Sequence, residues 1–331
     1  MAMPTIRSGP GLALSMKTPA SRTAPQSVWL DTDIGDDTDD IFALALICAS
    51  PELALAGVST VFGETEERAR LARTLLGSTT SRAARTTVAA GCGHPLPTHG
   101  IPAIWPNGPM KRGPICQLPC ARPASPLPRP GRQHGVDLLA KHLRAHPGKT
   151  VPITIGALTN LATLLLREPA LQRAIPRLVV MGGEFKHTMW EWNIRCDPLA
   201  AACVVKSGLP IDFIPWDIGM ACTVTPAQLD HLFAGRSATS RLLARAVRLW
   251  RKSKSSPSSL ELPHLFDPMA VSVLLHPEWF TWRRGRVEVL FTPEKFSHTR
   301  FTPDARGPHR VAWRVKSKRA VETVWARILS L

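Results

Sequence analysis

Six aspartates crowd into the ten residues from Asp31 to Asp40, directly after a short apolar run and before the apolar segment Ile41 to Leu46. This order predicts a buried strand, a tight turn and the start of a helix. Two carboxylates about 5 Å apart repel by roughly 3 kcal/mol at an effective dielectric near 20. Aspartates that converge on one turn therefore need a cation or shared protons, and we expect a site for a hard metal ion.

Asp39 and Asp40 also have a simpler explanation. Aspartate is favoured at the beginning of a helix, where it caps the chain and complements the helix dipole. That explanation accounts for two of the six carboxylates. Open α/β sheets bind their ligands at the carboxyl ends of the strands, so the other four favour metal binding or catalysis at this turn.

Composition narrows the class of protein. The chain has 331 residues and a formal net charge of +16, but its Lys and Arg are scattered without an aromatic-interleaved repeat, so we expect no specific nucleic-acid partner. No apolar run reaches the roughly 20 residues that span a bilayer, which argues against a membrane protein. Seven cysteines without a framework spacing predict free thiols and a cytoplasmic location.

Strand-like and helix-like segments alternate through most of the chain, which predicts an α/β fold with a mostly parallel open sheet and helices on both faces, around a Rossmann-like core. Predicted strands after the first are Leu53–Val61, Thr87–Gly91, Val151–Ile155, Leu178–Met181, Ile211–Trp216, 286–291 and 311–315. Predicted helices include Glu66–Leu76, Leu158–Arg167, Pro198–Lys206, Ala227–Trp250 with a break near Ser237, Asp267–Leu275 and a final helix from Ser317.

Two segments lie outside this alternation. Residues 1–25 carry basic residues, Ser, Thr, Pro and Gly without any acid, and we predict a disordered N-terminal extension. Residues 95–133 lose periodicity and are rich in proline, which is typical of a lid, a binding loop or disorder. We predict that residues 26–331 form a single domain that carries this loop.

Polar motifs recur at the predicted strand ends, and four of them together are specific. They are the Asp-rich turn, the Gly-Ala-Leu-Thr-Asn turn within 155–162, the Met-Gly-Gly end of 179–183, and Asn-Ile-Arg-Cys-Asp-Pro at 193–198. In this order and at these separations the chain resembles the inosine-uridine-preferring nucleoside hydrolase family over roughly residues 26 to 325.

The resemblance implies hydrolysis of the N-glycosidic bond of ribonucleosides to free base and ribose. It implies a Ca²⁺ ion held by Asp33, Asp40, the backbone carbonyl of Thr159, and Asp267. Oxygen-only ligation of this kind suits calcium, and the ion would neutralise the repulsion between the aspartates. Asp33 would also be the general base that takes a proton from the attacking water.

The same resemblance implies ribose binding by Asp39, Glu191 and Asn193, and it places Glu64 where the family has a substrate-binding asparagine. Glu64 adds a negative charge at that position, which leaves specificity open. Asn193 has an alternative as a strand-end residue that bonds its own backbone. Family members are commonly dimers or tetramers, so the resemblance also implies a homodimer or homotetramer.

Two departures from the family pattern leave alternatives open. The first turn is two residues longer than usual, so that Asp37 competes with Asp40 for one ligand role. Phe266 stands where well-studied members carry a histidine that assists departure of the base. The acid could instead come from the loop region, as His99 or His134, although His134 also suits a backbone-bonding role; otherwise the substrate needs no help, or turnover is weak.

Two other functions compete with this one. A nucleoside-binding homologue with weakened catalysis is consistent with Glu64 and Phe266. A haloacid-dehalogenase-type phosphatase would use Asp31 as nucleophile and Asp33 as acid/base, but Gly35 stands where that motif has Thr or Val, and we find no matching lysine and later acidic pair.

Overall fold

The computed structural model describes residues 24–97, 115–121, 133–254 and 261–331. Its strands are β1 (Gln26–Thr32), β2 (Leu53–Thr60), β3 (Val88–Ala90), β4 (Thr150–Thr154), β5 (Leu178–Met181), β6 (Ile211–Ile214), β7 (Phe280–Val289), β8 (Thr299–Pro303) and β9 (His309–Val315). Its α-helices are α1 (Asp39–Cys48), α2 (Thr65–Ser78), α3 (Gly135–Ala145), α4 (Thr159–Arg167), α5 (Trp192–Cys196), α6 (Pro198–Lys206), α7 (Trp216–Met220), α8 (Pro226–Ala234), α9 (Ala238–Ser253), α10 (Phe266–Leu275) and α11 (Ser317–Leu329).

The strands form one sheet in the order β3-β2-β1-β4-β5-β6-β9-β7-β8. Neighbouring strands from β3 to β9 pair in parallel, and β7 pairs with β9 and β8 in antiparallel fashion. The predicted α/β class and mostly parallel sheet are confirmed.

Side-chain alternation along β1 divides the core between the two faces of the sheet. Val28 and Leu30 pack into one apolar cluster with α1, α2 and α10, whereas Trp29 packs into a second cluster with α3, α4 and α6. Successive residues of a strand point to opposite faces, so a strand between two helix layers must be apolar on both sides. β1 therefore lies in the middle of the molecule, and the turn that follows it is enclosed by protein.

The C-terminal edge differs from the prediction. The expected strand at 286–291 begins earlier, at Phe280, and β8 was missed altogether. β8 is a short strand at the end of the sheet whose residues are half-buried or exposed, so its sequence lacks the apolar pattern that marks an interior strand.

Residues 1–23 of the predicted extension at 1–25 and most of the predicted loop at 95–133, including His99, lie outside the described residues. Over the ranges that the structure covers, each helix is too short or too polar to cross a bilayer.

Candidate active site

A cavity of about 400 Å³ opens at the carboxyl ends of the central strands, within the range of about 300–1,000 Å³ usual for small-molecule sites. It is lined by Asp33, Asp36, Asp37, Asp39, Asp40, Ile155, Met181, Glu191, Trp192, Asn193, Trp216, Lys254, Phe266 and Asp267. Five of the lining aspartates come from the first turn and the start of α1, and the sixth from the start of α10. The prediction that acids from distant parts of the chain converge here is confirmed.

Three carboxylates form the centre of the site. Oxygen atoms of Asp39, Asp40 and Asp267 lie within 4.8 Å of one another, and all three residues are buried. They meet because α1 and α10, whose first turns carry them, pack against each other. Burial raises the pKa of each carboxyl well above its usual range, and the negative charge of the neighbouring aspartates raises it further. A divalent cation would relieve both costs.

Asp33 lies beside this cluster, one residue after β1, and lines the cavity. Burial raises its pKa to about 7, while the positive charge of Arg68 opposes the shift. The turn after β4 comes very close, because a Cβ added at Gly156 would lie 2.8 Å from Asp33 Oδ1. Glycine at position 156 therefore makes room for the Asp33 carboxylate.

Arg68 fixes the backbone of the Asp-rich turn through hydrogen bonds. This buried side chain of α2 donates to the carbonyls of Phe62 (2.7 Å), Asp33 and Ile34 (3.0 Å), and its other nitrogen lies 2.6 Å from the carboxylate of Asp36. The backbone that carries Asp33 is thus fixed by a charged donor. Arg68 is not among the site residues predicted from the sequence, although a basic residue on the apolar side of an amphipathic helix is a detectable signal.

Glu191 and Asn193 line the opposite wall. The Glu191 carboxylate accepts from the backbone N–H groups of Gly183 (3.1 Å), Asn193 (2.9 Å) and Ile194 (3.1 Å) and caps α5. The side-chain amide of Asn193 donates to the carbonyls of Ile155 and Met181, at 3.1 and 3.2 Å. Both side chains are therefore held in fixed orientations at the cavity wall.

Two predicted site residues lie outside the cavity lining. Thr159 is the first residue of α4, directly after the N-cap Leu158, whose carbonyl accepts from the N–H of Ala162 at 2.9 Å. The Thr159 hydroxyl donates to Asp197 at 2.8 Å. Ile155 is a lining residue in this part of the chain, and its carbonyl accepts from the side-chain amide of Asn193, another lining residue. The structure therefore does not support Thr159 as a metal ligand.

Glu64 is the other. The chain turns sharply after β2, with positive φ at Phe62 (62°) and Gly63 (79°). Phe62 then packs edge-on against Trp192, with ring centroids 6.4 Å apart, and Glu64 is exposed just before α2. The structure therefore does not support Glu64 as a substrate-binding residue.

The structure bears on the residues for which the sequence left alternatives open: Asp37, Asp40, His134 and Phe266. Asp40 belongs to the three-carboxylate cluster, whereas Asp37 lies at the more exposed rim, 3.9 Å from Lys254 Nζ. His134 caps α3, where its Nδ1 accepts from the N–H of Val136 at 3.3 Å, which matches the backbone-bonding alternative. Phe266 lines the cavity as predicted for its position.

Asp31 does not fit the phosphatase alternative. Its side chain is buried and is not among the cavity-lining residues. One oxygen accepts from Ser59 Oγ and, at 2.7 Å, from Asn160 Nδ2. A nucleophile must reach the substrate, so this enclosed carboxyl is better explained as a tie between β1, β2 and α4.

Comparison with known proteins agrees with this geometry. The inosine-uridine preferring nucleoside hydrolase family profile matches residues 28–325. The pyrimidine-specific ribonucleoside hydrolase RihA of Enterobacter sp. (strain 638) is 32% identical over 76% of this chain and 80% of its own length. Uridine nucleosidase 1 of Arabidopsis thaliana is 25% identical over 91% of this chain and 92% of its own.

Solved structures share the fold. A plant nucleoside hydrolase, PpNRh1, superposes with a TM-score of 0.73 at 22% identity, covering 93% of this chain and 100% of that one. The purine-preferring ribonucleoside hydrolase from Gardnerella vaginalis gives a TM-score of 0.74 at 22% identity, covering 92% and 98%.

Proposed function

Since the chain belongs to the inosine-uridine preferring nucleoside hydrolase family, we propose that its aspartate-lined cavity is the active site. The protein hydrolyses ribonucleosides: water replaces the base at C1′ of the sugar, giving free base and ribose. The observation that carries the site assignment is the meeting of buried Asp39, Asp40 and Asp267 carboxylates within 4.8 Å. Three of the predicted ligands, Asp33, Asp40 and Asp267, line this cavity together with the predicted sugar-binding residues Asp39, Glu191 and Asn193.

We propose that the cation is Ca²⁺. Its ligands would be carboxylate oxygens of Asp33, Asp40 and Asp267 together with the backbone carbonyl of Ile155, in place of Thr159. This set contains only oxygen donors, of mixed carboxylate and carbonyl type, which suits calcium. When bound, the ion supplies positive charge that offsets the aspartates and polarises the attacking water.

Asp33 takes the proton from that water in this proposal. Burial raises the pKa of Asp33 in the metal-free protein, and a bound cation would favour its charged form, which can accept a proton. The proximity of Gly156 and the bond from Arg68 to the Asp33 carbonyl restrict where the carboxylate can lie. Asp33 is thus held in place before substrate binds.

The ribose hydroxyls bind to Asp39, Glu191 and Asn193. Asp39 lies in the floor of the cavity, and the other two side chains are anchored in its wall. Buried polar partners that are left unpaired discriminate strongly against sugars lacking the matching hydroxyl. The surrounding carboxylates also favour the positive charge that develops on the sugar as the glycosidic bond breaks.

Uridine is the first substrate to assay, because the relatives at 25 and 32% identity are named for uridine and pyrimidine nucleosides. Purified protein with Ca²⁺ should release reducing sugar from uridine, and the Asp33→Asn variant should not. A nucleoside-binding protein without turnover is the alternative that Phe266 favours. It would show saturable uridine binding by calorimetry but no ribose release in either protein.

Assembly into a homodimer or homotetramer and a cytoplasmic location stay predictions. Sedimentation of the purified chain would decide the first.

A further inference from the structure

The base carries negative charge as it departs, so the side of the cavity that receives it needs a group that stabilises this charge. Phe266, which lines the cavity, has no proton or hydrogen bond to give. His264, two residues earlier, is not a lining residue, and its Nδ1 is shared with Thr223 Oγ1 at 3.0 Å. Within the part of the lining that the structure describes, Lys254 alone is positively charged.

Lys254 is held at the rim by its surroundings. It follows the last residue of α9, and its ammonium lies 4.8 Å from the ring centre of Trp250. Its Nζ is 3.9 Å from Asp37 and 3.7 Å from Glu261. Both separations exceed hydrogen-bond distance, so these acids hold the cation nearby without taking up its N–H donors.

The charges are arranged along one direction of the cavity. The side chain of Lys254 is 36% exposed, whereas Asp267 is 2% exposed at the floor. Asp37 lines the same cavity, is 45% exposed, and lies 3.9 Å from Lys254 Nζ. A nucleoside whose ribose meets the buried aspartates would therefore direct its base towards Lys254.

We propose that Lys254 stabilises the departing base by donating a hydrogen bond from its ammonium group, an inference that rests on the proposed function. The C1′–N bond breaks and its electron pair stays on the base nitrogen, while the water oxygen bonds to C1′ and gives its proton to Asp33. Lys254 stays charged throughout. The base then takes a proton from solvent at the open rim, and Asp33 returns its proton to solvent.

Two substrates that share the ribose but differ in leaving group distinguish stabilisation of the departing base from a role in ribose binding or folding. Uracil is a poor leaving group, whereas p-nitrophenolate leaves as a stable anion, so only uridine requires Lys254. We expect Lys254→Met to lower kcat on uridine by about 10²-fold or more and to remain near wild type on p-nitrophenyl β-D-ribofuranoside. Lys254→Arg keeps a charged donor and should retain more uridine activity than Lys254→Met.

Lys252→Met is the matched control, since Lys252 is exposed on the same helix and does not line the cavity. It should change neither rate. Equal losses on both substrates in Lys254→Met, or no loss on uridine, would overturn the proposal while leaving the hydrolase assignment intact. Failure of the wild-type protein to hydrolyse either substrate would overturn both.

Discussion

The Arg68 guanidinium lies 2.6 Å from the Asp36 carboxylate, in the turn between β1 and α1. The same guanidinium donates to the carbonyls of Asp33 and Ile34. A buried cation therefore fixes the backbone of this turn. Arg68 acts on the site through the backbone of Asp33, which makes it a positioning residue.

Replacing Arg68 with methionine should destabilise the protein by about 3 kcal/mol, because buried carbonyls and part of a carboxylate lose their donor. Urea denaturation of the metal-free protein measures the change. Arg70→Met is the control, since Arg70 is exposed and pairs with Glu67 across one helical turn, and the stability of this variant should stay within about 0.5 kcal/mol of wild type. Equal stability of the two variants would contradict the positioning role.

Gly219 permits α7 to contact the start of α10. A Cβ at this position would lie 2.0 Å from Phe266 Cδ1 and 2.8 Å from the Phe266 Cα. We expect Gly219→Ala to cost about 1–3 kcal/mol through overpacking and to weaken Ca²⁺ binding, since Asp267 follows Phe266 directly. Thermal unfolding and calcium calorimetry measure the two effects.

Gly77→Ala is the matched control for that substitution. The space around Gly77 is open and the residue lies within α2, so alanine should leave calcium binding unchanged and stabilise the protein by up to about 1 kcal/mol. If Gly219→Ala behaved in the same way, the tight contact with Phe266 would be refuted.

His309 predicts an acid-side loss of stability. Its Nδ1 accepts from the N–H of Val287 at 2.9 Å, and burial lowers its pKa from 6.5 to about 4. Between these values the unfolded chain binds the proton and the folded chain does not, so stability is full above about pH 6.5 and falls as the pH drops towards 4.

The loss from this residue amounts to about 3 kcal/mol at most. His309→Asn keeps an acceptor but cannot titrate, so the difference in unfolding free energy between wild type and variant should shrink as the pH falls from 7 to about 4. A difference that does not change with pH would show that His309 does not contribute to this dependence.

Asp33→Asn should abolish hydrolysis while leaving the fold intact. Removing the general base lowers kcat by about 10³-fold or more. Burial and nearby carboxylates already disfavour the charged form of Asp33, so replacing it with a neutral amide should not lower the Tm of the metal-free protein. Asp230→Asn, on the exposed surface of α8, should leave the rate unchanged. Near-normal turnover by Asp33→Asn would refute the role given to this residue.

Local patterns explain why much of this site could be predicted from sequence. Asp39 and Asp40 begin a helix whose every residue is buried, and an apolar segment directly after two acids identifies that position. The predicted bounds of β5 and α6 match the structure, because Gly-Gly and Asp-Pro mark their ends. Such signals lie within a few residues of the feature that they predict.

The errors have a different origin. Ile155 and Thr159 both follow β4 within five residues, but Ile155 lines the cavity and Thr159 begins α4, a difference of a few residues that the turn motif does not resolve. Glu64 follows a turn with positive φ at Phe62 and Gly63 and is exposed, and the non-glycine residue with positive φ at Phe62 could not be expected from its type. Lys254 reaches the rim through the packing of α9, which no motif near residue 254 indicates.

Hydrolysis in this proposal depends on one divalent ion held by Asp33, Asp40 and Asp267, so ribose release by metal-stripped protein at increasing Ca²⁺ is the most direct test. We expect no reducing sugar from uridine in the chelated protein, and a saturable return of activity as Ca²⁺ is added. Undiminished ribose release by protein whose metal content has been shown to be negligible would contradict the account.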